Sequence, residues 1–161
     1  MEMTQDLFTS RVKSMYENGL FDPDVITYES SLREHICFQS TSLGPPTRAV
    51  FRSVVAPSMC NKLGNLHGGC AATIIDILTS VVLLAIGQPG MFSYGGVTRT
   101  LDVKYLRPVP EGMQIEIDCE LLSMGKRLAM SRAVIRRVDN GDLCIIGMHD
   151  KVNTDPVLQK L

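Results

Sequence analysis

A single carboxylate, Asp76, stands in the middle of the most apolar stretch of the chain, Cys70 to Ile86. An unpaired charge there is expensive to bury. Thr73, Asp76 and Ser80 recur at helical spacing, which would place one polar stripe on an otherwise apolar rod. Buried, perturbed carboxylates concentrate at active sites, so Asp76 is the first candidate for proton transfer or nucleophilic work. The plainer alternative is a structural Asp bonded to neighbouring backbone. Just before this stretch come Gly68 and Gly69. A helix N-terminus offers free N–H groups and a dipole that favours negative charge, and glycine lets a substrate oxygen approach closely. That combination suits an oxyanion formed during acyl transfer. A glycine pair is by itself a weak signal, equally at home in an ordinary turn that opens a helix.

Asp76 lies eight residues beyond Gly68, about 12 Å along a helix that rises about 1.5 Å per residue. That is too far for both to act on one carbonyl. Either one of them is not catalytic, or Gly68 of one subunit works with Asp76 of another. The second option predicts an obligate dimer with active sites at a two-fold interface. Spacing favours neither.

The elements that would hold these groups follow from periodicity. Residues 5 to 18 form a short amphipathic pattern, with Leu7, Val12 and Met15 near helical spacing, stopped by Gly19 and Asp22-Pro23-Asp24. Strands are predicted over Leu32 to Thr41 and Thr47 to Ala56. Asn61 to Gly69 reads as a loop, and Cys70 to Ile86 as a buried helix stopped by Gly87 and Pro89-Gly90. Four strands follow: 97–105, 113–121, 127–138 and 143–152, the last two joined by the turn Asp139-Asn140-Gly141-Asp142. In the first of these, Val97, Leu101, Val103 and Tyr105 share the apolar face and Thr98, Thr100, Asp102 and Lys104 the polar one. One apolar helix among several strands calls for an antiparallel sheet curled around it, with a partner subunit able to supply further cover.

Bulk properties narrow the class. With 161 residues, 45% hydrophobic and 20% charged, the chain has enough length for one cored domain and is not disordered in composition. A net charge of −1 gives no basic excess and argues against nucleic acid as a partner. The five cysteines, Cys37, Cys60, Cys70, Cys119 and Cys144, are widely spaced, without metal-ligand spacing, and read as reduced core residues of an intracellular protein. The acidic N-terminus resembles neither a secretory signal nor a transit peptide. The apolar run from Ile77 to Gly87 is too short to span a bilayer. Gln159-Lys160-Leu161 resembles a peroxisomal tripeptide except at its first position and is read as chance. A cytoplasmic location is expected, with mitochondrion and peroxisome left open.

Taken together, Asn61-x5-His67-Gly68-Gly69-x6-Asp76 followed by Thr98-x6-Tyr105-Leu106-Arg107-Pro108 closely resembles the hotdog-fold acyl-CoA thioesterases. The branch is that typified by phenylacetyl-CoA thioesterases and the small mammalian acyl-CoA thioesterases, and the likeness covers about residues 47–152. It implies an α+β hotdog fold, an antiparallel curved sheet wrapped around one long buried helix. Residues 47–161 would form the thioesterase core, preceded by an N-terminal helix and first strand region in residues 1–46, within a single domain overall. The resemblance further implies that the Gly68 N–H polarises the thioester carbonyl with help from Asn61. His67 would hold the loop near the leaving sulfur, and Asp76 of the neighbouring subunit would be general base or nucleophile. Thr98 stands where mammalian members carry a serine that orients the water, and its hydroxyl can do the same work. A turn role for Asn61 and a purely structural one for His67 are the alternatives.

At the CoA end, Tyr105, Arg107, Ser123, Gly125, Lys126 and Arg127 match segments that lie near the nucleotide in that family. Arg107, Lys126 and Arg127 could pair with phosphate oxygens, or simply be solvated turn charges. The resemblance implies hydrolysis of an acyl-CoA to CoA and free acid, in lipid metabolism, without metal or redox cofactor, by a homotetramer built from two such dimers. Three other readings stand beside it: a hotdog hydratase or dehydratase, a thioesterase for carrier-protein-bound chains, and a non-catalytic acyl-CoA-binding regulator.

Overall fold

The structure, a computed structural model, describes residues 2–19 and 26–156. The predicted stop at Asp22-Pro23-Asp24 and the tripeptide Gln159-Lys160-Leu161 lie outside them. Helix α1 (Gln5–Ser14) starts where the Thr4 hydroxyl accepts from the Leu7 N–H, with Asp6 in its first turn and Arg11 and Lys13 in its last, all in accord with the helix dipole. It runs on into a wider turn over Met15–Gly19. Its buried stripe is Phe8, Val12 and Tyr16. The sequence had pointed to Leu7, Val12 and Met15; the larger aromatic areas decide which face turns inward.

A 3-10 turn, Ser30–His35, leads into β1 (Ile36–Ser42). The expected strand start at Leu32 is therefore early by four residues, because Leu32 and Ile36 both point inward one helical turn apart. β2 (Thr47–Val54) is followed by a short 3-10 turn at Pro57–Met59 and then by α2 (Gly68–Ile86), two residues longer at its start than predicted. Strands β3 (Val97–Tyr105), β4 (Gln114–Met124), β5 (Leu128–Arg137) and β6 (Leu143–Val152) complete the chain.

The six strands form one antiparallel sheet in the order β1-β2-β4-β5-β6-β3. Strand alternation puts Ala49, Phe51, Ile115, Ile117, Cys119, Ala133, Ile135 and Ile145 on the inner face, against Ala71, Ile74, Ile75, Leu78 and Val82 of α2. The helix approaches β6 so closely that a Cβ on Gly147 would lie 2.7 Å from Cγ2 of Ile75. The outer face is polar, carrying cross-strand pairs such as Arg52 with Glu116 and Arg48 with Asp118.

By length and composition α2 is long and apolar enough to cross a membrane, which corrects the shorter run read from the sequence. Here it is the core helix of the sheet. It is not apolar on every side: Ala72, Thr73 and Asp76 form a partly exposed strip. The sheet covers only part of the rod.

Candidate active site

Strict alternation would place Thr98 and Leu101 on opposite faces of β3. The register against β6 instead shifts between Thr98 and Thr100, leaving Arg99 as a bulge. One extra residue reverses the parity, so Thr98 (opposite Lys151) and Leu101 (opposite His149) face the same way. The bulge thereby aims the Thr98 hydroxyl at α2, where it donates to Oδ1 of Asp76 at 2.9 Å. The same oxygen lies 3.0 Å from Nε2 of His149. Nδ1 of that imidazole meets the Thr79 hydroxyl at 2.7 Å, so both ring nitrogens are engaged. A lone pair on Nε2 would repel the carboxylate, so Nε2 carries a proton and donates it. Among the described residues Oδ2 of Asp76 has no partner.

Asp76 differs from its expected burial: its side chain is 42% exposed, while His149 beneath it is enclosed. The hydrogen bond from His149 is the main influence holding the carboxyl below its ordinary pKa. Partial burial opposes this, and the Thr98 hydroxyl and the charges of His149 and Lys151 reinforce it. Asp76 is thus an ionised base with one oxygen fixed and the other available. Below it, the buried Lys151 ammonium donates to Ser80 Oγ at 2.8 Å, and Ser80 donates to the Asp76 backbone carbonyl at 2.7 Å. Burial pushes the Lys151 pKa down, and the nearby Asp76 charge pushes it back up.

The loop before α2 is clamped at both edges. Leu66 N–H bonds the Val109 carbonyl, and His67 N–H bonds that of Met59, each at 2.8 Å. Asn61 Oδ1 accepts from the Leu63 and Asn65 N–H groups, which makes its side-chain oxygen a turn former. His67 caps the helix, its Nδ1 accepting from Gly69 N–H at 2.9 Å. Of the glycine pair, Gly69 is therefore spoken for, whereas Gly68 N–H has no acceptor among the described residues. The Tyr105 hydroxyl donates to the Gly68 carbonyl at 2.7 Å, and its ring lies 3.3 Å from where a Gly68 Cβ would be. Tyr105 thus braces the first helical residue.

The structure brings Asn61, Gly68, Tyr105 and Arg107 around one cavity of about 420 Å³, with the Arg107 guanidinium donating to the Leu143 carbonyl. It keeps the other proposed nucleotide-side residues away. Ser123 lies near the end of β4, and Gly125, Lys126 and Arg127 form the β4–β5 turn, tied through Asn153 to Gly90 beyond the far end of α2. Across a 19-residue helix that is about 28 Å. Gly68 and Asp76 likewise stay on one helix, eight residues apart.

His149 and Lys151 escaped the sequence reading. The signal was available in β6, where Ile145, Gly147, His149 and Lys151 alternate inward. Two polar residues on a core-facing row call for a polar partner opposite them.

These features define a hotdog-fold protein with a carboxylate–imidazole–hydroxyl cluster on its central helix. The family model described as "Thioesterase superfamily" matches residues 63–144, and the chain belongs to that family of thioester hydrolases. It is 31% identical over 108 residues to the acyl-coenzyme A thioesterase 13 of Mus musculus, covering 66% of this chain and 73% of that one. Its fold is similar to that of zebra fish thioesterase superfamily member 2 (TM-score 0.73, 22% identity, 94% of this chain and 99% of that one). It is also similar to a hypothetical thioesterase protein of Streptococcus pneumoniae solved with coenzyme A (TM-score 0.66, 21% identity, 78% and 90%).

Proposed function

We propose that the protein hydrolyses acyl-CoA thioesters to a free acid and CoA, at sites shared between two protomers. The observation that carries this reading is the half-free carboxylate: Asp76 Oδ1 is fixed by Thr98 and His149, while Oδ2 is left to take a proton. Water, held by Oδ2 and the Thr98 hydroxyl, attacks the thioester carbonyl carbon as its proton passes to Asp76. The resulting oxyanion is received by the Gly68 N–H at the start of α2. Collapse breaks the C–S bond, the CoA thiolate takes up the proton that Asp76 had gained, and the carboxylic acid leaves.

Two features support assembly across a dimer. Gly68 and Asp76 are about 12 Å apart on a rigid helix, beyond what one carbonyl can bridge. β3, which carries Thr98 and Tyr105, is an open sheet edge, with Val97 and Tyr105 each 54% exposed. A partner would bring its own Asp76 to Gly68. The separation of Arg107 from Lys126 and Arg127 also suits a CoA held between chains, its phosphates meeting cations from more than one protomer, as in a dimer or a tetramer of two dimers. No step calls for a metal or redox cofactor.

The test is a panel of acetyl- to palmitoyl-CoA and phenylacetyl-CoA, with released thiol as readout. Turnover of at least one, lost on Asp76→Asn with the fold retained, is expected. Absence of turnover on the whole panel would overturn the proposal.

A further inference from the structure

The loop before α2 separates two hollows of different chemistry. On one side is the cavity of Asn61, Gly68 and Tyr105, whose lining includes the Arg107 guanidinium. On the other is a cavity of about 300 Å³ running from His67, Cys70 and Thr73 of the helix start to Met59 and to Tyr28 and Leu32 of the N-terminal segment. No Asp, Glu, Lys or Arg lines this second cavity among the described residues. Its two thiols are neutral at physiological pH: burial pushes the Cys70 pKa up to about 11, with Cys60 adding to the effect, and burial also raises that of Cys60. A thioester has the same asymmetry, with a phosphate-bearing arm on its sulfur side and an uncharged arm on its acyl side.

We infer that the uncharged cavity receives the acyl group, and that Tyr28, Ser31 and Leu32 form the wall that limits its length. This rests on the acyl-CoA hydrolase reading above. With the carbonyl on Gly68 N–H, the CoA arm extends past Tyr105 toward Arg107, and the acyl arm turns past His67 toward Met59. A cavity of this size lies at the low end of ligand pockets and suits a short to medium acyl group. The wall comes from residues 28–32, outside the 63–144 stretch that the family model matches. Chain-length preference is therefore set by a part of the chain outside the stretch that the family model matches, which gives residues 28–32 a function.

The test uses the full-length protein and a series of acetyl-, butyryl-, hexanoyl-, octanoyl- and palmitoyl-CoA. Ser31 is exposed at the cavity rim, so Ser31→Phe fills the space from outside the packed core. The kcat/KM ratio of the best medium-chain substrate to acetyl-CoA is expected to fall about tenfold or more, since a single methylene in such a pocket is worth about 10–200-fold. Tyr28→Ala should move the optimum to longer chains. General damage would lower all substrates together and leave the ratio unchanged. An active enzyme whose length profile is unaltered in both variants overturns the acyl wall and leaves the hydrolase reading intact. A wild type inactive on every chain overturns the hydrolase reading itself.

Discussion

Nε2 of the enclosed His149 lies 3.0 Å from Oδ1 of the half-exposed Asp76. A fixed donor under a solvent-facing carboxylate orients it from below, so that only its outer oxygen is offered to water. The Thr98 hydroxyl holds the same inner oxygen from the edge strand.

Asp76→Asn removes the base while preserving shape and most of the hydrogen bonding. A positioned base contributes about 10²–10⁴-fold, and kcat on the best acyl-CoA should drop by that order with an unchanged circular dichroism spectrum. Turnover within a few-fold of wild type would remove Asp76 from the mechanism.

Gly68 can be tested at a single atom. As the first helical residue it occupies the position where proline is tolerated, and His67 before it is already extended, at φ −66° and ψ 134°. Gly68→Pro deletes the N–H, whereas Gly68→Ala keeps it and adds a comparable contact with Tyr105. kcat should fall about 10²-fold or more in the proline variant relative to the alanine one. Mixing Gly68→Pro with Asp76→Asn should restore part of the activity through hybrid dimers. No recovery, with subunit exchange confirmed by mass spectrometry, would argue against a shared site.

The depressed Asp76 pKa carries a sign. Its folded value lies below the unfolded one, so ionised Asp76 contributes stability above the unfolded value, about 3.9. That contribution is lost as pH falls through the lower folded value. The acidic limb of kcat/KM should accordingly lie below the ordinary carboxylate range. Lys151→Met removes a buried positive charge that favours ionisation, and the limb should move upward. A pH–rate profile in which the limb stays put would show that Lys151 acts only through packing.

Gly147→Ala probes the contact of α2 with β6. The new methyl would sit 2.7 Å from the Ile75 side chain, and overpacking of this kind costs about 1–3 kcal/mol. Urea unfolding should show that loss, and a variant as stable as wild type would mean the helix shifts freely on the sheet.

Much of the scaffold was legible from periodicity. The apolar run that became α2, the alternation of β4, and the Asp139–Asp142 turn are local patterns that survive any tertiary context. The candidate site was legible only as separate pieces. Asp76 stood out as a charge in an apolar helix, and Gly68 as a glycine at its start, but the exposure of Asp76 depended on how far the sheet wraps the helix.

The sequence by itself determined the α+β class, the helix that carries Asp76 and the presence of a loop before it, because periods of 3.6 and 2 are properties of neighbouring residues. Only the tertiary structure decided that Thr98 and His149 share one oxygen of Asp76. That depends on strand register and on the bulge at Arg99, which arise from pairing β3 with β6, about fifty residues apart in the chain.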